Sequence, residues 1–151
     1  MAQPNNVTIV LADDDEDDRF FFREALEELG KVNFVAAEDG VQLMDVLAKL
    51  DEQPDAIFID INMPRKDGYE CVKELRKNPK YLNTPLIVYS TSKNPRDVDA
   101  MYLNGASLYI QKSNSIEHLK DTIKGFFEMD INDIVPPPKP SKEIFLYMIK
   151  K

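Results

Sequence analysis

The sequence predicts an α/β fold, a five-stranded doubly wound parallel sheet, and three observations carry that expectation. Five short apolar runs alternate with five stretches of helical periodicity. Strands alternating with helices of this length build βαβ units and a parallel sheet covered on both faces. Proline, glycine and small polar residues fall between the segments, where a chain must turn. Carboxylates, a hydroxyl and an ammonium stand at the ends of four of the five apolar runs.

The strands are expected at 7–12, 33–37, 55–60, 85–90 and 107–111, each a run of β-branched and large apolar residues. Helices are expected over roughly 15–29, 40–50, 66–78, 95–104 and 115–129. Phe22, Ala25, Leu26 and Leu29 share one face of the first, and Leu43, Met44, Leu47 and Leu50 one face of the second. Ile116, Leu119, Ile123, Phe126 and Phe127 do the same for the last. Gly30 is placed to end the first helix, Asn78-Pro79 to close the third, and Ser113 or Ser115 to cap the fifth.

At 151 residues the chain suits one domain with a full core. We divide it into a body at 6–129 and a proline-containing tail at 130–151. In the tail, Pro136 to Pro140 should be stiff and extended, and Ile144 to Ile149 is apolar enough to dock on its own domain or a second chain. One cysteine, Cys71, excludes an internal disulfide framework and fits a reducing compartment. No run is long enough to span a bilayer, and the N-terminus lacks the pattern of a secretion signal. We therefore expect a cytoplasmic protein. The net charge of −8 argues against nucleic acid as a partner, because phosphates demand a basic footprint.

Part of the excess acid is the run Asp13 to Asp18, which directly follows the first strand. Asp60 ends the third strand, Ser90-Thr91 the fourth and Lys112 the fifth. In a parallel sheet those ends lie on one edge, where α/β proteins place their ligand sites. Clustered carboxylates repel unless a cation neutralises them, and Mg2+ prefers oxygen ligands and phosphate. A hydroxyl and an ammonium suit the remaining phosphoryl oxygens, and an aspartate can act as the nucleophile. Singly, each residue reads as a cap or a surface group. Jointly they form the parts of a phosphoryl-accepting site.

Leu11 to Asp15, Asp60 to Gly68, Pro85 to Ser90 and Gly105 to Lys112 resemble the motifs of response-regulator receiver domains of two-component signalling. The resemblance covers about 6–129, and the acidic start and the Ser-Thr-Ser after the fourth strand are similar to single-domain receivers associated with phytochromes. It implies a flavodoxin-like fold, with Asp60 as phosphoacceptor and a sensor histidine kinase or phosphotransfer protein as donor. It further implies Mg2+ held by Asp14, Asp60 and the backbone carbonyl of Asn62, with Asp13 acting through water. Ser90 and Lys112 would contact the phosphoryl group, and Tyr109 would turn inward as Ser90 is drawn toward it. Pro64 and Gly68 would shape the adjoining loop. Output would pass through protein contacts of the single domain, with a phosphorylation-dependent homodimer as one form. Val98, Met101 and Tyr102 would line the face that a partner covers. The protein would be no turnover enzyme, although it assists its own phosphorylation and dephosphorylation.

Two departures stand out. Ser113 occupies the place of the family's usual proline, which predicts a Lys112 held less tightly or strain offset locally. Ser90 stands where threonine is commoner, which loosens the expected coupling to Tyr109. Three rivals fit less well. A Mg2+-dependent phosphatase of the haloacid dehalogenase type needs Asp-x-Asp-Gly where this chain has Asp60-Ile61-Asn62-Met63, and a longer chain for its cap. An EF-hand matches Asp13, Asp15, Asp17 and Glu24, but Asp18 stands where the loop needs glycine. A receiver that only binds partners would have no need of the intact acid–hydroxyl–lysine set.

Overall fold

A computed structural model describes residues 7–135. The tail expectations for 136–151 lie outside them. Strands β1 (Val7–Ala12), β2 (Val32–Ala37), β3 (Ala56–Ile59), β4 (Leu86–Ser90) and β5 (Leu108–Gln111) form one parallel sheet in the order β2-β1-β3-β4-β5. Helices α1 (Glu16–Leu29), α2 (Gly40–Lys49), α3 (Gly68–Lys77), α4 (Pro95–Leu103) and α5 (Ile116–Glu128) connect and follow them. This is the flavodoxin-like order, and the strand sequence reverses between β1 and β3. Single 3-10 turns at Pro79–Tyr81 and Ile131–Asp133 were not anticipated.

Local chemistry sets the helix boundaries. Asp15 begins α1 by accepting hydrogen bonds from the amides of Asp17 and Asp18, and Asp39 begins α2 through the amide of Gln42. Asp67 and Glu70 form a reciprocal capping box at α3. Ser115, of the two serines considered, caps α5 through the His118 amide.

Side chains alternate across each strand, so parity assigns residues to faces. Val10, Ala12, Ile57, Ile59, Leu86, Val88 and Tyr109 pack with residues of α2, α3 and α4, including Leu43, Cys71 and Met101. Ile9, Leu11, Phe58, Ile87, Tyr89 and Ile110 pack with α1 and α5, through Phe22, Leu26, Ile123 and Phe126. Ile134 and Val135, which composition grouped with the tail, are buried in this second cluster.

One reading of α4 is corrected. Met101 is wholly buried and Val98 nearly so, and Tyr102 is half-buried against the same core. Spaced i, i+3 and i+4, they are the helix's inward stripe and not a surface awaiting a partner. The exposed apolar residue of α4 is Leu103, at 82%. Among the described residues, no helix is long and apolar enough to cross a membrane.

Candidate functional site

The carboxyl edge of the sheet gathers the acids by register. Ala12 pairs with Ile59, and the Asp60 amide donates to the Ala12 carbonyl at 2.9 Å, so Asp13 and Asp60 leave adjacent strands side by side. Asp13 continues the parity of Ile9 and Leu11, and Asp60 that of Phe58, so both side chains project on the α1–α5 face. Lys112 continues the parity of Leu108 and Ile110 and arrives on the same face. Its Nζ lies 2.7 Å from Asp13 Oδ2, 2.8 Å from Asp18 Oδ2 and 3.1 Å from Asp60 Oδ2. The Tyr89 ring lies under the same ammonium, 5.3 Å from it.

Burial dominates the electrostatics. It pushes the Asp13 carboxyl up to about 6, against the lowering effects of Lys112 and the Asp15 amide. Burial also raises Asp60, opposed by the charge and hydrogen bond of Lys112 and by the Ile61 amide. Lys112 is itself buried, yet the carboxylates facing it hold its ammonium above the usual lysine range. Asp60 Oδ1 is oriented by the Ile61 amide at 2.7 Å, which leaves Oδ2 toward Lys112.

Asp13, Asp14 and Asp60 each offer a carboxylate oxygen within 4.8 Å of the others. Asp14 is exposed while its two neighbours are buried, so the cluster opens to water on one side. Asp13 Oδ2 is buried and makes no hydrogen bond of good geometry, the Lys112 contact being an ion pair. An all-oxygen donor set with an under-satisfied buried carboxylate fits a hard divalent cation. Asp15 and Asp17 do not join the cluster. Asp15, which the EF-hand alternative needs as a ligand, is spent on its own helix cap.

Ser90 and Tyr109 fall on the opposite parity and face α4. Ser90 is wholly buried, with its Oγ accepting from the Ser92 amide at 3.2 Å. Lys112 and Ser90 are tied through their backbones, the Lys112 amide donating to the Ser90 carbonyl at 2.7 Å. Tyr109 is already inside, with no exposed surface, and its hydroxyl donates to the Ser92 carbonyl at 2.8 Å. Ser92 Oγ donates to Asp97 on α4 at 2.6 Å, and the Tyr69 hydroxyl of α3 donates to the same carboxylate. Asn62 is exposed in the β3–α3 loop.

That loop is tightly bent. The Lys66 amide donates to the Pro64 carbonyl at 2.7 Å around Arg65, whose φ is 65°. Such a three-residue turn is rare and strained outside glycine. The Arg65 guanidinium binds the buried Asp39 carboxylate, and the Gly40 amide donates to the Lys66 carbonyl at 3.0 Å. At Gly68 a side chain would run into the Asp60 carbonyl, so the loop needs glycine there. Sequence reasoning missed Asp18, Asp39 and Arg65. For Asp18 a signal existed: the first turn of a helix beginning at the site must aim some of its residues back at it.

Comparison with known proteins agrees with this geometry. Residues 9–124 match the family described as response regulator receiver domain. The chain is 26% identical over 141 residues to response regulator Rcp1 of Synechocystis, covering 90% of this chain and 96% of Rcp1. It is 32% identical over 127 residues to sensor histidine kinase CheAY of Helicobacter pylori, of which it spans only 16% while 84% of this chain is matched. The crystal structure of the phosphorylated cyanobacterial phytochrome response regulator RcpA superposes with a TM-score of 0.72 at 32% identity, over 81% of this chain and 91% of that one. The Mn2+-bound form of Rcp1 gives 0.73 at 27% identity, over 87% and 99%. With its sheet order, its acid cluster and these relatives in agreement, the chain belongs to the response regulator receiver domain family, whose single-domain members serve as phosphoacceptors in two-component signalling.

Proposed function

We propose that Asp60 accepts a phosphoryl group from the phosphohistidine of a sensor kinase or phosphotransfer protein, with Mg2+ held by Asp14, Asp60 and the Asn62 carbonyl and with Asp13 acting through water. The observation that supports this most is that Asp60 belongs to an acid cluster able to hold a cation and also faces the Lys112 ammonium. A carboxylate oxygen of Asp60 forms the new bond to phosphorus. The bond from phosphorus to the donor's nitrogen breaks, and its electron pair leaves with the imidazole. When bound, Mg2+ supplies neutralisation of the carboxylates and of the incoming phosphoryl oxygens. The Ile61 amide orients Asp60, Lys112 takes a phosphoryl oxygen, and the Ser90 hydroxyl takes another.

The output reading follows from the second face. Drawing Ser90 toward the phosphoryl group disturbs Ser92, and through it both Tyr109 and the Asp97 carboxylate that holds α4. Such a shift acts only by favouring one of two packings. A partner or a second copy of this chain then binds the rearranged α4 surface, where Leu103 is already exposed. This reading makes the protein a cytoplasmic signalling element, not a turnover enzyme. The test is phosphorylation by acetyl phosphate followed by intact mass. One added phosphoryl group is expected with Mg2+, and none with EDTA or in Asp60→Asn. Equal labelling of Asp60→Asn would overturn the assignment. For output, Ser90→Ala should accept phosphate while losing the change in sedimentation and α4 hydrogen exchange.

A further inference from the structure

Lys112 is caged by more acid than a cation site can use. An ammonium has three N–H donors, and here three carboxylates surround it: Asp13, Asp18 and Asp60. Two of them, Asp13 and Asp60, also belong to the cluster able to hold a cation, and Asp18 does not. A divalent ion held there would compete with the ammonium for those two carboxylates and repel it. Phosphorylation then ends the carboxylate charge of Asp60 and puts negative charge on the phosphoryl oxygens, so the ammonium must move from the one to the other. Lys112 thus exchanges two carboxylate partners for a phosphoryl oxygen, and Asp18 is the one of the three carboxylates that can stay with it throughout. Its stem is long and flexible, and the chain leaves it through Ser113 and Asn114, both exposed.

We infer that Asp18 is a positioning residue that tethers the Lys112 ammonium beside Asp60 while the cation and the phosphoryl group claim its other partners. This rests on the phosphoacceptor reading above. Asp18 is suited to the task because it sits in the first turn of α1, a helix pinned at its start by the Asp15 cap. The Arg19 guanidinium holds the same turn to the Asp13 carbonyl at 2.7 Å. Its carboxylate is 32% exposed, whereas Lys112 is 7% exposed, so the tether reaches in from the rim. The covalent step is unchanged. With acetyl phosphate, Asp60 oxygen bonds to phosphorus, the bond to the acetyl oxygen breaks, and acetate leaves with the electron pair.

The test uses the full chain with saturating Mg2+ and follows phosphorylation by acetyl phosphate over time. Asp18→Asn should lower the maximal rate about fivefold, the scale of one partly exposed ion pair, with the Mg2+ dissociation constant unchanged within twofold. Asp18→Glu should restore part of that rate by returning the charge. In 15N-lysine spectra the slowly exchanging Lys112 ammonium should be visible in the Mg2+-bound wild type and absent from Asp18→Asn. A rate for Asp18→Asn equal to or above wild type would overturn the tether, as would an ammonium signal that survives the substitution. A wild type that never acquires phosphate would instead overturn the phosphoacceptor reading itself.

Discussion

Replacing Asp13 by asparagine should stabilise the metal-free protein. Burial raises the Asp13 carboxyl from 3.8 to about 6 even with Lys112 beside it. Each unit corresponds to ~1.36 kcal/mol, so keeping Asp13 ionised at pH 7.5 costs about 3 kcal/mol relative to the unfolded chain. An amide of the same shape removes that cost but leaves Lys112 with one fewer partner and still buries a polar group. The net gain should be about 1–2 kcal/mol, or roughly 3–10 °C in melting temperature for a domain of this size. The pH dependence has a definite sign. Between about 4 and 6 the native state holds the Asp13 proton and the unfolded chain does not, so this group's contribution to stability falls as pH rises through that window. Wild type in EDTA should therefore gain stability from pH 7.5 to 5.5, and Asp13→Asn should show less of that gain, keeping only the part that the raised Asp60 carboxyl contributes. Mg2+ at tenfold its dissociation constant should add about 1.4 kcal/mol to wild type by mass action and less to the variant. Thermal melts across these conditions decide the matter. An Asp13→Asn protein no more stable than wild type in EDTA at pH 7.5 would refute the reasoning.

Two further outcomes follow from contacts away from the acids. Arg65→Ala leaves the buried Asp39 carboxylate without its guanidinium and should cost about 1–3 kcal/mol while weakening Mg2+ binding, read by denaturant unfolding and calorimetry; unchanged Mg2+ affinity would detach this latch from the site. Arg76 bonds the carbonyls of Gly105, Tyr81 and Thr84 and the Ser107 hydroxyl, so Arg76→Met should destabilise by several times ~1 kcal/mol with Mg2+ affinity intact, and a near-neutral effect in urea unfolding would contradict its keystone role.

How much was legible in advance follows from the range of the interactions. The strands are visible because a fully buried parallel sheet demands runs such as Ala56 to Ile59, all four residues buried. Asp60 and Lys112 are visible because each directly ends such a run. Asp18 is different, since it meets Lys112 across 94 positions. Arg65 and Asp39 are 26 apart, and Arg76 and Ser107 are 31 apart. No local pattern names the partner in such pairs, although the first turn of a helix that starts at the site marks Asp18 as a candidate. A surface lysine, arginine or aspartate in sequence carries no mark of the carboxylate it will find. The error at Val98 and Met101 has another origin. Their helical spacing already marked an inward stripe, and an expected output face was laid over it. The reciprocal box at Asp67 and Glu70 was equally open to view, as an acid three residues after a capping residue.

The most direct test of the central claim is chemical trapping of the modified residue. The full chain is treated with acetyl phosphate and Mg2+, reduced with borohydride, and digested for peptide mass mapping. Reduction converts an aspartyl phosphate to homoserine. The account predicts homoserine at position 60 alone, dependent on Mg2+. Homoserine at position 13, 14 or 18 with Asp60 intact, or none under conditions where the protein is folded and binds Mg2+, would contradict it.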